Sequence, residues 1–434
     1  MLKKTVQRSV RGESLIVIGF RERAFGSPTF HLSRLITSYL LRLLRAMRER
    51  CIGTGVSLGK EAVLAASGRA GEVAARVGLV RRATFSASCY NPAGIAENHT
   101  VFRHMIRTRI IGTGSYLPER VVSNREVGAS LGIESGVVAR LTGIQERRRA
   151  AASQASSDLA VEAARPALEA AGLPVSELGA IVLSTTSPDR VFPSTACHVQ
   201  RMLACSTIPA FDVAASCSGF LYGLSMADAM IRSGQVKTCL VVAAEVKSRS
   251  VDPADGDTAL LFGDGAGAVV VRGEPEAGQL GQGLFGLRLR ADGAQHDLIR
   301  IPAGGSRRPT TSGTVETKSH TLRMQGAPLF RLAVKRLDQA IRELVKEFGI
   351  DVQDIAQLVL HQANGRILDQ LTKRLGISPE RVCSVIGRYG NTSSASLPIA
   401  LDDAVRSGRI LPHDIVLLGS FGGGVTWATG LVRW

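Results

Sequence analysis

Three side chains of types that carry acyl chemistry are embedded in runs of small residues. Cys217 lies in AFDVAASCSGFLYGL, His361 in QLVLHQAN and Asn391 in RYGNTSSAS. A cysteine thiolate attacks carbonyl carbons, while an imidazole and a carboxamide donate N–H groups to carbonyl oxygens. Together they suggest a site that holds an acyl group on sulfur and stabilises the enolate of a thioester.

The setting of Cys217 resembles that of an activated nucleophile. A strand predicted over residues 210–214 runs into small residues and then into a helix, so Cys217 is expected at a helix N-terminus. Free N–H groups and the positive end of the helix dipole lower a thiol pKa toward neutrality, and the N–H of Cys217 can serve an oxyanion hole. The alternative is a buried structural thiol, which is the preferred interpretation for four others: Cys197, Cys205, Cys239 and Cys383.

His361 and Asn391 each have a plain structural alternative. His361 ends a strand of parallel type, where α/β sheets usually bind ligands, but it also fits a core histidine. Asn391 is expected to offer amide N–H groups at the N-terminus of a later helix, or to be a simple N-cap. The run SFGGGVTW (420–427) indicates a tight turn whose backbone approaches a ligand, and it lacks the Lys-Ser/Thr of a phosphate loop. The run FGDGAGA (262–268) indicates a turn with close backbone packing.

Strands and helices alternate along residues 105–434, which predicts an α/β fold with buried sheets. The helical patterns cover 156–171, 329–348 and 365–375. A weak internal repeat pairs 228–236 with 402–410 at an offset of 174 residues, and the same offset pairs Cys217 with Asn391. The fold class is therefore α/β with two duplicated α/β halves, 105–280 and 281–434, although a chance likeness between two amphipathic helices stays open.

The net charge of +16 is concentrated at the start of the chain, where residues 1–104 hold 17 basic and 6 acidic residues. We interpret this stretch as a basic N-terminal extension, with Met105 as the expected natural start; a targeting segment and a genuine extra domain are the alternatives. Nucleic-acid binding is disfavoured because no binding motif accompanies the charge. No apolar run is long enough for a membrane span. The seven cysteines lack CxxC spacing, which favours a reducing, cytoplasmic location and no metal site.

A series of segments resembles the β-ketoacyl-[acyl-carrier-protein] synthase III family of thiolase-fold condensing enzymes. In order they are TRIIGTGSYLP, TGIQERR, FPSTACHVQ, AFDVAASCSGF, LLFGDGAGAV, HQANGRI, GNTSSASLP and FGGGVTWATGLVRW, and they span about residues 107–434. The resemblance implies a five-layered αβαβα fold, a homodimer and a catalytic triad of Cys217, His361 and Asn391.

The resemblance also implies roles for further residues. Gly423 corresponds to the second oxyanion-hole N–H, Phe192 to a residue that shapes the acyl pocket across the dimer interface, and Asn364 and Phe330 to contacts with the pantetheine arm. Carrier-protein docking is expected at four basic residues: Arg331, Arg366, Lys373 and Arg374. No cofactor is implied beyond the coenzyme A and acyl-carrier-protein thioesters that serve as substrates.

The implied reaction is the decarboxylative condensation of an acyl primer, acetyl-coenzyme A by default, with malonyl-acyl carrier protein. Elongating synthases resemble Cys-His-His, whereas position 391 is Asn, and thiolases need a second cysteine, whereas none follows Cys383. Val137, Gly256 and Ala327 replace residues that bind coenzyme A in initiating members. An acyl-carrier-protein-primed or specialised-metabolism enzyme of the same fold is therefore the first alternative, and a non-catalytic acyl-binding paralogue is a distant one.

Overall fold

The computed structural model describes residues 3–8, 14–19, 65–66, 75–77, 106–275 and 281–434. The chain divides into two compact units, Met1–Thr100 and Val101–Trp434. Met105, the expected natural start, lies outside the described residues. The first unit contains an antiparallel sheet in the order β1-β2-β4-β3, formed by β1 (Lys3–Arg8), β2 (Ser14–Gly19), β3 (Ala65–Ala66) and β4 (Ala75–Val77).

The second unit alternates strands and helices. Its strands are β5 (Ile106–Tyr116), β6 (Arg120–Ser123), β7 (Glu146–Arg149), β8 (Ile181–Ser184), β9 (Ala210–Val213), β10 (Thr238–Val246), β11 (Asp264–Pro275), β12 (Gly283–Ala291), β13 (Ile299–Arg300), β14 (Arg323–Met324), β15 (Gln357–Leu360), β16 (Val382–Cys383), β17 (Ile415–Gly422) and β18 (Thr426–Arg433). Its α-helices are α1 (Asn124–Ala129), α2 (Ser135–Thr142), α3 (Ser156–Ala170), α4 (Thr195–Met202), α5 (Gly219–Arg232), α6 (Gly256–Ala259), α7 (Ser312–Glu316), α8 (Gly326–Glu347), α9 (Gly365–Leu375), α10 (Ile386–Tyr389) and α11 (Ser396–Arg406).

Two five-stranded sheets have the same topology. The first sheet runs β5-β11-β10-β8-β9 and the second β12-β18-β17-β15-β16, so in each the first strand is followed by the fifth, fourth, second and third. In both sheets the second strand pairs in parallel with the third and the fourth, and the remaining pairs are antiparallel. This repetition confirms the duplicated α/β halves.

The strands are buried on both faces, which sets the layer order. Neighbouring residues of a strand point to opposite faces. Val182 and Val359 face a central core shared with α5 and α11, whereas Ile181 faces a core shared with α3 and α4. Leu358, next to Val359, faces a third core shared with α8 and α9. The result is helix, sheet, helix, sheet, helix, which confirms the five-layered αβαβα fold.

The helix patterns of the sequence agree closely with the structure. Helix α9 has the predicted bounds, α3 ends one residue earlier and α8 begins three residues earlier than expected. The turn expected at FGDGAGA is wrong, because β11 begins at Asp264. The close packing is confirmed: a Cβ on Gly267 would come within 2.8 Å of the backbone N of Ile399. Small residues in this strand let α11 lie directly on the sheet.

Helix α5 is held tightly at the end that follows Cys217. Phe220, Leu221 and Leu224 are completely buried, and burying each such side chain contributes about 1.5–3 kcal/mol. A Cβ on Gly219 would lie 2.0 Å from Ser184 Oγ, so only glycine lets the helix begin this close to β8. The position of the preceding turn is therefore fixed by the core. Among the described residues, none of the helices has the length and apolar character needed to cross a bilayer.

Candidate active site

Cys217 lies in a single 3-10 turn, Ser216–Ser218, between β9 and α5. Its side chain is nearly buried, with 6% of the residue exposed. Ser216 has a φ of 51°, in the left-handed region that favours glycine, and such a residue costs about 1–3 kcal/mol. The expected strand, small-residue turn and helix are thus present, with a strained residue immediately before the sulfur.

His361 follows β15 directly, at the carboxyl end of a strand that is parallel to both neighbours. Its backbone N–H donates to Gly419 O at 2.8 Å, and its Nδ1 lies against Ser396 Oγ. Ser396 Oγ already accepts the N–H of Gln362 at 3.1 Å. We therefore assign the hydroxyl proton of Ser396 to Nδ1, which leaves the imidazole proton on Nε2.

The imidazole is neutral at physiological pH. Burial lowers the pKa of His361 to about 3, because desolvation penalises the imidazolium form. A neutral ring with a proton on Nε2 donates a hydrogen bond without first losing a proton. His361 is only 5% exposed, so a ligand carbonyl that reaches it meets this donor in a site with little water.

Asn391 is fixed by both ends of its amide. The Oδ1 atom accepts the backbone N–H of Ser393 at 2.8 Å, and Nδ2 donates to Ala363 O at 3.3 Å. One N–H of the amide remains for a ligand. The N-cap alternative is wrong, since the N-cap of α11 is Ala395. Asn391 also precedes that helix by five residues, so its expected place at the helix N-terminus is corrected to the turn before it.

The three residues lie on connected partners. Cys217 Sγ is 3.6 Å from Ser393 Oγ, and Ser393 is the residue whose N–H binds the amide of Asn391. Asn391 in turn binds the carbonyl of Ala363, whose own N–H donates to His361 O at 3.0 Å. A continuous series of short contacts therefore runs from the sulfur to the histidine, through residues of both halves.

The glycine turn between β17 and β18 covers the nucleophile. A Cβ on Gly422 would lie 2.6 Å from the backbone N of Cys217, and one on Gly423 would lie 3.3 Å from Ser216 Oγ. Within residues 106–275 and 281–434, the N–H of Gly423 has no hydrogen-bond acceptor. The backbone N–H groups that the resemblance assigns to an oxyanion hole thus belong to two segments in close contact.

The expected lowering of the pKa of Cys217 is wrong in direction. Burial raises the pKa of the Cys217 thiol above its usual range, and the negative charge of Glu245 adds to this rise. Hydrogen bonds with Ser393 and Ser216 and the positive charge of Lys247 act the other way without cancelling the effect. Desolvation of the anion outweighs the local favourable groups because almost no water reaches the sulfur.

We expect the rate at which iodoacetamide alkylates Cys217 to keep rising up to about pH 9, above the ordinary thiol pKa of roughly 8.5. A raised pKa means that the reactive thiolate grows with pH over this whole interval. Peptide mapping separates Cys217 from the exposed Cys197. A rate that levels off below pH 7.5 would contradict the raised pKa.

Four site residues were not found from the sequence: Glu245, Lys247, Ser393 and Ser396. Glu245 is completely buried and Lys247 is 4% exposed, and their charged groups lie 3.4 Å apart. Glu245 interrupts an otherwise uncharged strand, and Lys247 follows two residues later at its carboxyl end. A charge in that position was an available sign of a buried functional group, whereas the serines resemble any others in a small-residue turn.

The other expected substrate contacts are more scattered. Phe192 is 86% exposed, beside Val191 at 97%. Phe330 is half-buried near the start of α8. Asn364 is the N-cap of α9, where its Oδ1 accepts the N–H of Arg366 at 2.9 Å and its Nδ2 donates to Leu141 O at 3.3 Å. Its amide is therefore already occupied, and its pantetheine contact stays a prediction.

The four expected docking residues are all exposed on two adjacent helices, with Arg331 on α8 and Arg366, Lys373 and Arg374 on α9. Arg374 lies 3.7 Å from Asp338. The other three have no ion-pair partner in the part of the chain that the structure describes. Among those same residues, no group of three His, Cys, Asp or Glu side chains is arranged to hold a metal ion.

Comparisons with known proteins agree with this geometry. Residues 345–434 match the family model described as 3-Oxoacyl-[acyl-carrier-protein (ACP)] synthase III C terminal, and residues 211–293 match the model described as 3-Oxoacyl-[acyl-carrier-protein (ACP)] synthase III. The beta-ketoacyl-[acyl-carrier-protein] synthase III of Erythrobacter litoralis is 45% identical over 333 residues, 76% of this chain and 100% of that protein. The protein of the same name from Rhizorhabdus wittichii is 46% identical over 330 residues, 76% of this chain and all of that protein. The crystal structure of 3-oxoacyl-[acyl-carrier-protein] synthase III from Aquifex aeolicus VF5 has a TM-score of 0.69 and 38% identity, covering 75% of this chain and 100% of that one.

Proposed function

The chain belongs to the β-ketoacyl-[acyl-carrier-protein] synthase III family, and from that premise we propose how its own residues carry out the reaction. The enzyme is an acyltransferase that condenses an acyl primer with malonyl-acyl carrier protein, releases carbon dioxide and initiates fatty acid synthesis. Acetyl-coenzyme A is the default primer. The observation that supports the residue roles best is the buried series of contacts from Cys217 through Ser393 and Asn391 to a neutral His361.

In the first half-reaction, the sulfur of Cys217 attacks the carbonyl carbon of the primer thioester. The negative charge that forms on the carbonyl oxygen is held by the N–H groups of Cys217 and Gly423. Collapse of this intermediate breaks the old carbon–sulfur bond and releases the primer's thiol carrier. The glycine turn permits this arrangement because side chains at Gly422 or Gly423 would collide with the nucleophile's own turn.

In the second half-reaction, Nε2 of His361 and Nδ2 of Asn391 donate hydrogen bonds to the thioester carbonyl of the malonyl group. Loss of carbon dioxide leaves an enolate whose charge these two donors stabilise. The carbanion then attacks the acyl group on Cys217 and frees the sulfur. A neutral imidazole suits this role, since a donor must bind the enolate without quenching it by proton transfer.

The proposal is tested by exposing the enzyme to acetyl-coenzyme A and to acetyl-acyl carrier protein in separate reactions and mapping the acylated peptide. We expect acetylation of Cys217, followed by a 3-oxoacyl-acyl carrier protein when malonyl-acyl carrier protein is added. Rapid acetylation from coenzyme A alone would rule out a donor switched to carrier protein. Absence of acyl groups on Cys217 with both donors would contradict the proposal.

Acyl carrier protein is expected to dock on the exposed basic residues of α8 and α9. We expect Arg366→Glu to raise KM for malonyl-acyl carrier protein about 3- to 10-fold with little change in kcat, because one attraction to an acidic partner becomes a repulsion. The wild-type KM should also rise with salt, and this slope should flatten in the variant. Arg120→Glu, which makes the same charge change on β6, is the control. Equal KM values for the wild type and Arg366→Glu would rule out docking through this residue.

A homodimer is proposed from the exposed apolar pair Val191 and Phe192. Such nearly complete exposure of neighbouring large apolar side chains is typical of a surface that another chain covers. We expect native mass measurement to give twice the chain mass, and Phe192→Asp to shift the protein toward single chains. Val121→Asp, on another exposed apolar residue, is the control. A wild-type protein that stays single at micromolar concentration would contradict the dimer.

A reducing, cytoplasmic location is part of the same proposal. The five described cysteines, Cys197, Cys205, Cys217, Cys239 and Cys383, are all free thiols. Free thiols persist where glutathione and thioredoxin keep cysteines reduced, and a catalytic thiol needs that environment. We propose no cofactor beyond the thioester substrates.

A further inference from the structure

A buried ion pair is connected to the sulfur of Cys217 through one hydroxyl. Ser393 Oγ lies 3.6 Å from Cys217 Sγ and 3.0 Å from Glu245 Oε1. The carboxylate of Glu245 is completely buried and faces Lys247 Nζ at 3.4 Å, and that ammonium also donates to Thr186 Oγ1 at 2.5 Å. Burying two charges costs several kcal/mol per ion before their attraction is counted, so a pair at this position calls for a role.

The direction of the hydrogen bonds follows from the chemistry of the groups. An ionised carboxylate can only accept, so the hydroxyl of Ser393 donates its single proton to Glu245. The oxygen of Ser393 therefore faces Cys217 as an acceptor, and the S–H of the resting thiol points at it. The remaining capacity of the carboxylate is taken by further donors, including Ser394 Oγ at 2.8 Å and Ser187 Oγ at 2.6 Å.

We propose that Glu245 receives, through Ser393, the proton that Cys217 loses on acylation and returns it when condensation frees the sulfur. As the sulfur bonds to the primer carbonyl carbon, its proton passes to Ser393 Oγ and the hydroxyl proton of Ser393 passes to Glu245 Oε1. The expelled primer thiolate takes a proton from solvent. When the second half-reaction breaks the bond from Cys217 to the acyl carbon, both transfers reverse and the thiol is restored. This inference rests on the proposed function.

Lys247 is the positioning residue of this relay. A carboxylate buried alone would take up a proton at rest and could accept no other. Burial does raise the pKa of Glu245, but the charge of Lys247 and the hydrogen bonds from Ser187, Ser394 and Thr186 outweigh it and lower that pKa. Glu245 therefore stays ionised and ready to accept. The charged groups that act on Cys217 are Glu245 and Lys247, since His361 is neutral.

Glu245→Gln gives a test in which two explanations predict opposite signs. A relay predicts that iodoacetamide alkylation of Cys217, and the burst of coenzyme A release from acetyl-coenzyme A, both slow by roughly 10²-fold, the low end for a positioned base. A purely electrostatic role predicts faster alkylation and a pH profile shifted to lower pH, because the charge of Glu245 raises the pKa of the thiol. Unchanged or faster alkylation overturns the relay.

The control is Asp402→Asn, which alters an equally buried carboxylate that accepts from Thr113 Oγ1 at 2.7 Å and Ser115 Oγ at 2.6 Å, outside the contacts described for Cys217. We expect its alkylation rate to match the wild type. Lys247→Met should slow alkylation like Glu245→Gln, because Glu245 then binds a proton. The double variant Glu245→Gln/Lys247→Met removes both charges and keeps the site neutral if a single change fails to fold.

Two readouts separate failure of the relay from failure of the proposed function. Decarboxylation of malonyl-acyl carrier protein uses His361 and Asn391, so it should change less than threefold in Glu245→Gln. If the wild type forms acyl-Cys217 and Glu245→Gln forms it equally fast, the relay alone is overturned. If the wild type itself forms no acyl-Cys217, the proposed function fails and takes the relay with it.

Discussion

Replacing Cys217 with alanine is expected to lower condensation on the order of 10⁶-fold, the loss typical of removing a nucleophile that works as part of a unit. No second described thiol can substitute for it, since Cys239 and Cys383 are buried elsewhere in the sheets and Cys197 is exposed on α4. Decarboxylation of malonyl-acyl carrier protein should persist in Cys217→Ala, because its donors are His361 and Asn391. The measurement is carbon dioxide release beside formation of the 3-oxoacyl product.

Cys239→Ala is the matched control for this change. Cys239 is completely buried in β10, where burial raises the pKa of its thiol to about 12, so it is chemically inert. We expect its loss to cost about 1 kcal/mol of folding stability for the lost packing and to leave condensation intact. Condensation that survives Cys217→Ala within tenfold of the wild type would exclude the covalent mechanism.

The nucleophile's setting was predictable from the sequence, but its pKa was not. The small residues around Cys217 and the apolar periodicity of α5 are local patterns, and they indicated the turn and the helix. The degree of burial depends on Gly422, Glu245 and Ser393, which come from distant parts of the chain. Local reasoning counted the helix dipole and omitted the cost of removing an anion from water, so it predicted the wrong sign.

The internal repeat shows a similar limit. The helix ends that follow α5 and α11 have left-handed glycines, Gly234 and Gly408, 174 residues apart. The turns that precede the two helices have left-handed serines, Ser216 and Ser393, which are 177 residues apart. Helix α11 is three residues shorter than α5. The sequence offset was measured at the helix ends, and it paired Cys217 with Asn391, whereas turn geometry pairs Cys217 with Ser394.

This correspondence explains why the site lies between the halves. Ser216 and Ser393 open equivalent turns of the two copies, and these two turns meet at the contact between Cys217 Sγ and Ser393 Oγ. Each copy thus contributes the N-terminal turn of its central helix to the same place. The strand that ends at His361 belongs to the second copy, and the strand that carries Glu245 belongs to the first. Neither half contains a complete site.

Replacing His361 or Asn391 with alanine is expected to slow malonyl decarboxylation by about 10²–10³-fold each, corresponding to roughly 2.7–4 kcal/mol for an oxyanion donor. Acylation of Cys217 should be retained, because its oxyanion is held by other N–H groups. Wild-type decarboxylation should show no titration of His361 between about pH 5 and pH 8, since the pKa of His361 is lowered to about 3 and the ring is neutral throughout. The measurement is carbon dioxide release as a function of pH.

The double variant His361→Ala/Asn391→Ala decides whether the two donors act on one oxygen. Donors that share an atom are coupled, so the double variant should lose less than the product of the single losses. The control His296→Ala removes an exposed histidine on the surface and should behave as the wild type. Losses that multiply fully would assign the two side chains to different atoms of the substrate. A pH profile with a step near pH 6.5, absent from His361→Ala, would show that His361 is charged during the reaction and would overturn its role as a neutral donor.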